Sequence, residues 1–335
     1  MRIVSVIIPV FNGEKTVARA IDSALEQPFD GAVEVVVVND GSTDDTRSVI
    51  EQYRERIKII EQENQGPAAA RNAGVRAAHG DYLAFLDADD KWLPDRFATP
   101  VSVLDGDARC VLVYSDAVKV DTAGKVLAVS CIPARQSHAP TMGDLMGEVW
   151  NILPSTVIVR RSTYLATGGF SEDFATAHPQ CEDSLFWLNV RELGEFHFTP
   201  QPTALYTAPS SFAEYLARRR LFCDSEKDCA DRCIRNFVLL HEKIRRRYGD
   251  RAHRVLDEIR RSQQNMLISI GLIAMSGGNR RPARQMYRKA LAIDPFCAKT
   301  WVRFAWTVVP APVGRSFARI LPRRVARAVS GTVHA

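Results

Sequence analysis

The chain has 335 residues, of which 46% are hydrophobic and 25% are charged, and its formal net charge is +5. This composition is ordinary for a soluble globular protein, and the length allows one large domain or two smaller ones with ample core. The mild net charge gives no reason to expect a nucleic-acid partner.

Neither the cysteines nor the apolar runs predict a secreted or membrane-spanning protein. The seven cysteines show no metal-finger spacing and no disulfide framework. The longest apolar run, 304–313, is short and is interrupted by Pro310 and Pro312. We expect no signal peptide, because a strand pattern begins near the first residue. The sequence therefore predicts a cytoplasmic protein, with peripheral attachment to the inner face of the cell membrane left open.

Strands and helices alternate along the first hundred residues. Short, largely β-branched apolar runs predict strands at 3–9, 33–38, 57–60 and 82–86. Helical spacing of apolar residues predicts a helix over 17–25, and an alanine-rich helix is predicted over 68–78. A further helix is expected after the loop 39–46, capped by Ser42 or Thr43 with Asp44 and Asp45 in its first turn.

This alternation predicts a doubly wound, mostly parallel sheet, and right-handed crossovers place its strand ends along one edge. The polar loops at 11–14, 39–45 and 87–90 are therefore expected to open on the same side. Ligands of open α/β sheets bind at this edge.

Three carboxylates, Asp87, Asp89 and Asp90, follow the strand at 82–86. Crowded carboxylates repel one another unless a cation lies among them, and Mg²⁺ or Mn²⁺ takes such oxygen ligands together with substrate phosphates. The alternative is an acidic surface turn that caps the helix after Pro94. The short Asp-x-Asp pattern does not decide between the two.

The three loops suit a nucleotide. Asp40 is placed to accept a hydrogen bond from a base, Arg71 to pair with base or phosphate, and Asp87 to reach a ribose hydroxyl. Asp89 is placed to bind a metal ion on a diphosphate. The sequence has no G-x-G-x-x-G or G-K-[ST] phosphate loop, so a metal held by carboxylates is the remaining way to offset the phosphate charge.

Four sequence blocks carry a family resemblance: VIIPVFN at 6–12, VVNDGSTD at 37–44, NQGP at 64–67 with ARNAG at 70–74, and FLDADD at 85–90. Together they resemble the family 2 glycosyltransferases of the GT-A fold. The resemblance implies transfer of a sugar from a nucleotide-diphosphate donor with inversion at the anomeric carbon. One departure is Asn39, where the family often has a second aspartate beside the one that matches Asp40.

The resemblance implies a donor site and a metal site. Asp89 is the expected metal ligand, for Mn²⁺ or Mg²⁺. The residues expected to bind the nucleotide sugar are Pro9, Val10, Asn12, Glu14, Asp40, Gly66, Arg71, Asp87 and Ala88.

The catalytic residues are expected in a second acidic segment, Glu182-Asp183, at the start of a helix. From the residues alone, such a pair is more often a helix cap than a catalyst. The resemblance implies that Asp183 is the general base and that Glu182 orients it or holds the acceptor. His178 and His197 are weaker candidates for phosphate or acceptor contacts. Tyr206 matches an aromatic–basic element of the family, but its basic partner is missing.

The C-terminal third is predicted to be helical, with helices at 212–233, 234–248 and 252–274. Residues 282–295 resemble the second helix of a tetratricopeptide unit, with 264–275 as the partner helix. We expect a helical hairpin rather than a peptide-binding array. Residues 315–329 place apolar side chains among five arginines, which fits either an interfacial helix on anionic lipid or a solvated basic tail.

We therefore predict a GT-A domain over 1–210, with a nucleotide-binding half at 1–100 and an acceptor half at 101–210, followed by a helical extension over 211–335. The expected function is inverting transfer of a sugar to a saccharide or lipid-linked acceptor, in cell-surface polysaccharide or glycolipid synthesis. The alternatives are a nucleotidyltransferase of related fold and a non-catalytic helical scaffold.

Overall fold

The computed structural model describes residues 1–147, 150–174, 181–208, 226–276 and 280–308. The strands in this part of the chain are β1 (Ile3–Val10), β2 (Ala32–Asp40), β3 (Lys58–Gln62), β4 (Tyr82–Phe85), β5 (Lys91–Trp92), β6 (Cys110–Ser115), β7 (Val118–Val120), β8 (Val126–Ala128), β9 (Val157–Arg160), β10 (Glu195–Thr199) and β11 (Ala204–Thr207). The helices are α1 (Val17–Leu25), α2 (Thr46–Glu51), α3 (Pro67–Ala77), α4 (Ala98–Gly106), α5 (Met142–Gly147), α6 (Arg161–Thr167), α7 (Cys181–Arg191), α8 (Glu226–Tyr248), α9 (His253–Ser276), α10 (Arg280–Ile293) and α11 (Ala298–Val308).

The described strands form a seven-stranded sheet in the order β10-β6-β9-β4-β1-β2-β3. Strand β1 pairs in parallel with both β2 and β4, and β2 pairs in parallel with β3. Strand β9 is antiparallel to its neighbours β4 and β6. The predicted mostly parallel sheet is confirmed. Strands β2 and β3 are added on one side of β1, and β4 is added on the other side. The position between β1 and β4 is therefore the topological switch point, where ligands bind in open α/β sheets.

A second sheet has the order β5-β11-β7-β8. The sequence predicts its hairpin around Gly124, and β7 and β8 are antiparallel on either side of that turn. The pairing of β11 with β5 is not predicted, because β5 is only two residues long. This pairing brings the chain near residue 207 next to the carboxylates that follow β4.

Apolar side chains on both faces explain why β1 and β2 lie inside the sheet. Residues 4–10 of β1 and 35–40 of β2 are all buried. Gly74 of α3 permits the helix to approach the sheet closely, because a Cβ atom there would lie 2.4 Å from the Ile7 side chain. This contact fixes α3, and with it Arg71, against the central strands.

Two local predictions are wrong. Neither Ser42 nor Thr43 caps α2; the Asp44 carboxylate accepts a hydrogen bond from the Thr46 N–H at 3.0 Å, and the Ser42 hydroxyl accepts the Asn12 N–H. The predicted break at residues 233–234 is absent from the described chain, where α8 is continuous from Glu226 to Tyr248. Its amphipathic pattern continues through that point without a proline or glycine.

The chain divides into two units, one of residues 1–210 with 242–255 and one of 211–241 with 256–335. In the second unit, Leu267 and Ile268 of α9 form a core with Ala283, Met286 and Tyr287 of α10. The predicted pairing of these two segments is confirmed. Among the described helices, none is both long and apolar enough to cross a membrane.

Arg96 is a buried cation without an ion-pair partner in the described part of the chain. Its side chain is inaccessible to solvent, and none of its three guanidinium nitrogens has a hydrogen-bond partner there. Burial lowers the pKa of Arg96 to about 9. The guanidinium carbon lies 5.5 Å from the centre of the Trp92 ring, and this cation–π contact offsets part of the desolvation cost.

We expect Arg96→Met to stabilise the protein. The variant keeps the length of the side chain and removes an unsatisfied buried charge, so the free energy of unfolding should rise by about 1–3 kcal/mol. Urea unfolding followed by circular dichroism measures this change. Arg54→Met, at an exposed position on the surface, is the control and should change the stability little. A less stable Arg96→Met protein would contradict this account of the side chain.

Candidate active site

Asp90 is the structural member of the acidic cluster after β4. It is buried, and its carboxylate accepts hydrogen bonds from the Thr207 N–H at 2.8 Å and from the Ser155 hydroxyl at 2.5 Å. Burial raises the pKa of Asp90 well above its ordinary value, and the charges of Asp89 and Asp87 raise it further. Asp90 therefore joins three segments of the chain and is not exposed for a ligand. The cluster is not a cap of α4, which begins at Ala98.

Asp87 and Asp89 lie at the surface of this cluster, each partly exposed. The Asp87 N–H donates to the Ser155 hydroxyl, and one Asp87 carboxylate oxygen accepts a hydrogen bond from Arg71 at 2.8 Å. The Asp89 carbonyl accepts a hydrogen bond from Arg19 at 2.7 Å, which fixes the backbone between the two aspartates.

The donor set suits a small divalent cation. No group of three or more His, Cys, Asp or Glu side chains that could hold a metal ion by itself is found among the described residues. Mg²⁺-type sites commonly use only one or two carboxylates together with substrate phosphates. The partly exposed carboxylates of Asp87 and Asp89 provide hard oxygen donors of this kind. Burial, followed by the charges of Asp90, Asp89 and Asp87, raises the pKa of Tyr206, so the field here is strongly negative.

Arg71 connects this cluster to the second acidic segment. Its guanidinium lies 2.8 Å from Asp87, 3.4 Å from Asp183 and 3.7 Å from Glu182. The side chain is buried and lies over the Phe170 ring at 5.2 Å. Burial by itself lowers the pKa of Arg71, but Asp87, Asp183 and Glu182 raise it, so that the net pKa is increased. One cation therefore holds carboxylates from β4 and α7 in a single site.

Glu182 and Asp183 occupy the first turn of α7 and are both buried. Burial raises the pKa of Asp183 well above its ordinary value. Glu182 raises it further, and Arg71 opposes the shift. The helix N-terminus favours the negative charge of these residues. A buried carboxylate with a raised pKa beside a fixed cation has the character of a general base.

Asn72 positions the segment that precedes α7. Its amide group donates to the Phe170 carbonyl at 2.9 Å and to Glu172 at 2.7 Å, and its oxygen accepts the Phe170 N–H. The Tyr164 hydroxyl also donates to this oxygen. The sequence did not predict Asn72 as a site residue. Asn72 follows Arg71 directly in α3, and its side chain contacts the segment at Phe170 and Glu172.

Asp40 is buried at the end of β2 and holds the turn before α3. Its carboxylate accepts hydrogen bonds from the Gln62 side chain and from the backbone N–H groups of Gln65 and Gly66, at 2.7 to 2.9 Å. Gly66 has a φ of +93°, which few other residues adopt. A carboxylate has about four acceptor positions, so one position remains for a ligand.

The loop after β1 is bonded to the loop after β2. Asn12, with a φ of +52°, accepts the Thr43 N–H at 2.8 Å and donates its own N–H to Ser42. The Glu14 carboxylate accepts the Asp45 N–H at 3.2 Å. These contacts confirm the predicted meeting of the two loops at one edge of the sheet.

The other predicted donor-site residues lie at the same edge. Pro9 and Val10 are the buried last residues of β1, paired with Val38 and Asn39 of β2. Ala88 is partly buried against the core. The structure thus places the strand ends of β1, β2 and β4 side by side, as predicted.

Several candidates lie elsewhere or fall outside the structure. His197 is exposed on β10, the outermost strand of the sheet and three positions from β4. His178 falls outside the described residues. Ser155, which bonds both Asp87 and Asp90, was missed as a site residue. Ser155 lies 65 residues from Asp90 in the sequence, so no local sequence pattern predicts their contact.

Comparisons with known protein families and sequences indicate the class of protein. Residues 5–164 match the model of the family described as glycosyl transferase family 2. An uncharacterized glycosyltransferase of Rickettsia felis is 30% identical over 203 residues, which cover 58% of this chain and 32% of the relative. An Escherichia coli relative, UDP-Glc:alpha-D-GlcNAc-diphosphoundecaprenol beta-1,3-glucosyltransferase WfaP, is 27% identical over 58% of this chain and 72% of its own length.

Solved structures show the same fold. TarS 1-349 of S. aureus, in complex with UDP-GlcNAc, has a TM-score of 0.59 at 18% identity and covers 97% of this chain and 93% of its own. Mannosyltransferase PcManGT of Pyrobaculum calidifontis, in complex with GDP-Man and Mn²⁺, has a TM-score of 0.54 at 20% identity and covers 96% and 87%. At these identities the likeness concerns the fold alone.

The fold is of the GT-A type, and residues 5–164, which include the carboxylate edge of the sheet, match a glycosyltransferase family model. The chain matches glycosyl transferase family 2 over residues 5–164, a little under half of its length. It spans between 32% and 61% of the length of the first three curated relatives that it matches.

We expect the difference in unfolding free energy between Asp183→Asn and wild type to favour the variant more at neutral pH than at acid pH. A carboxyl group with a raised pKa in the folded state stabilises the fold when protonated, and this contribution is lost as the pH rises through that pKa. The variant does not titrate at this position, so its stability relative to wild type should increase from acid to neutral pH.

Urea midpoints at a series of pH values measure this difference. Asp257→Asn, at an exposed position, is the matched control and should give curves parallel to wild type. An advantage for Asp183→Asn that is constant with pH would mean that Asp183 does not titrate as described.

Proposed function

We propose that this chain is an inverting glycosyltransferase that moves a sugar from a nucleotide-diphosphate donor to a hydroxyl group of an acceptor. The observation that carries the proposal is Arg71, which joins the donor-side Asp87 to the acceptor-side Asp183 within one buried cluster. An inverting transfer needs a single base on the face of the sugar opposite the leaving group. A pair of acids that work as proton donor and nucleophile, as in hydrolases, is not required.

The proposed donor site is the edge formed by the ends of β1, β2 and β4. The remaining acceptor position of Asp40 binds the base, and Asp87 binds a ribose hydroxyl. Arg71 and the backbone of the loop after β1 complete the site with Pro9, Val10, Asn12, Glu14, Gly66 and Ala88. Two relatives of known fold have UDP-GlcNAc and GDP-Man in their structures, which supports a nucleotide sugar as the donor class.

Asp89 is the proposed ligand of Mg²⁺ or Mn²⁺. When bound, such an ion offsets the charge of the donor diphosphate and of the leaving nucleotide. The structure of PcManGT with Mn²⁺ supports this assignment for the fold. Arg71 contributes to the same electrostatic stabilisation from a fixed position.

We expect Asp89→Ala to weaken metal-dependent donor binding by at least about tenfold, because one of few protein ligands is removed. The measurement is a thermal-shift titration with UDP-glucose, UDP-GlcNAc and GDP-mannose, each with and without Mn²⁺, since a ligand that binds only the native state raises the unfolding temperature. Asp121→Ala, in the turn between β7 and β8, is the control. If Mn²⁺ strengthens donor binding equally in wild type and Asp89→Ala, the metal assignment is wrong.

Asp183 is the proposed general base. It takes the proton of the acceptor hydroxyl as the oxygen attacks the anomeric carbon, and the nucleotide leaves from the opposite face. The raised pKa of Asp183 makes it a better base than an ordinary aspartate. Glu182, which precedes it in the first turn of α7, orients the base or holds the acceptor.

We expect Asp183→Asn to retain donor binding and to lower turnover by at least ~10²-fold, because the amide cannot accept the acceptor proton. Donor hydrolysis and transfer to a saccharide acceptor are followed by release of nucleotide diphosphate. Binding is measured separately by thermal shift with donor and Mn²⁺. A fully active Asp183→Asn enzyme would remove Asp183 from the role of base.

The acceptor is proposed to be a saccharide or a lipid-linked saccharide, at the cytoplasmic face of the membrane in cell-surface polysaccharide or glycolipid synthesis. The name of the Escherichia coli relative WfaP, which specifies a diphosphoundecaprenol-linked acceptor, supports a lipid-linked substrate. The segment 315–329, predicted as a peripheral membrane contact, lies outside the described residues. Donor hydrolysis by the purified chain would separate this proposal from a non-catalytic scaffold.

A further inference from the structure

Helix α11 has four exposed apolar residues among its described side chains. Ala298, Trp301, Val302 and Ala305 follow helical spacing and are all exposed. Trp301 is 50% exposed and Val302 44%, and Phe296, in the turn just before the helix, is 93% exposed. Helices of globular proteins normally turn such a stripe toward the core.

Two of the described buried residues of α11 are polar. Thr300 and Thr307 are buried, and Arg284 of α10 donates to the Thr307 carbonyl at 2.8 Å. The Arg288 guanidinium lies over the Phe304 ring at 5.8 Å. The contact with α10 uses Thr307 and Phe304. Trp301 packs edge-on against Phe304 and donates its indole N–H to the Pro295 carbonyl at 2.7 Å, while half of its surface stays exposed.

The hairpin is also strongly basic. Residues 280–308 contain seven basic residues and one acidic residue, Asp294. The basic residues are Arg280, Arg281, Arg284, Arg288, Lys289, Lys299 and Arg303. No acidic residue follows Asp294 in the printed sequence. A second copy that met it through the same face would bring like charge.

An exposed apolar stripe within a basic surface matches the boundary of an anionic membrane. Trp and Phe are favoured where apolar chains meet polar headgroups, and Lys and Arg are attracted to anionic lipid. A helix with one apolar and one polar or basic side lies in the plane of this boundary. A purely polyanionic partner, such as an acidic protein segment, would use the charge but would leave Phe296 and Val302 in water.

We propose that the hairpin formed by α10 and α11 docks on an anionic phospholipid surface through Phe296, Trp301 and Val302. The basic residues of the hairpin supply the electrostatic attraction. This inference does not depend on the proposed glycosyl transfer, because it requires neither donor nor acceptor. It concerns described residues and is separate from the segment 315–329.

The test is flotation of the full chain with vesicles of phosphatidylglycerol and phosphatidylcholine, compared with vesicles of phosphatidylcholine alone. We expect binding to the anionic vesicles that decreases with added salt, because salt screens the attraction. Phe296→Ser/Val302→Ser should weaken the partition by at least about tenfold, because two apolar side chains no longer leave water. Arg281→Gln, at an exposed position, should weaken it by about fivefold.

The matched control is Leu165→Ser/Leu193→Ser, which removes two leucines that are 52% and 48% exposed in the other unit. This variant should bind vesicles as wild type does. Circular dichroism and donor hydrolysis show that each variant is folded. The proposal is overturned if wild type does not float with anionic vesicles, or if Phe296→Ser/Val302→Ser floats as wild type does. It is also overturned if wild type binds polyglutamate in preference to the vesicles, or if the double variant changes only the oligomeric state.

Discussion

A single buried guanidinium, that of Arg71, is the contact on which the site depends. Without it, the carboxylates of Asp87, Glu182 and Asp183 would repel one another, and the buried Glu182 and Asp183 would lose this ion-pair partner. With it, the end of β4 and the first turn of α7 become one site. The close approach of α3 to the sheet at Gly74 and the bonds of Asn72 to the segment before α7 fix the position from which Arg71 acts.

The aspartates at the sheet edge are divided between structure and chemistry by their burial. Asp90 is enclosed and bonded to the backbone of a distant segment, so that it fixes a loop. Asp87 and Asp89 are partly exposed in the same loop as Asp90. Asp87, Asp89 and Asp90 have the same side-chain chemistry. The role of each carboxylate therefore depends on its burial and on the backbone N–H groups around it.

Much of the fold could be predicted because it rests on local patterns. The apolar runs of β1, β2 and β4 and the spacing of their loops are sufficient to place Asn12, Asp40 and Asp87 at one edge. Contacts that join remote segments could not be predicted. Ser155 and Thr207 bond Asp90 across 65 and 117 positions, and β11 meets β5 through a strand of two residues. The cap of α2 was misassigned because Ser42 is used by Asn12, a tertiary contact that competes with local capping.

The charges of the site favour the proposed divalent cation. Arg71 is one cation among four carboxylates, those of Asp87, Asp89, Glu182 and Asp183. The Arg19 guanidinium, which donates to the Asp89 carbonyl, adds a second positive charge beside this cluster. A donor diphosphate would bring further negative charge into this region, and electrostatic repulsion in a partly buried site is strong. In the proposed mechanism, Arg71 therefore holds the base in place, and the proposed ion would neutralise the donor phosphates.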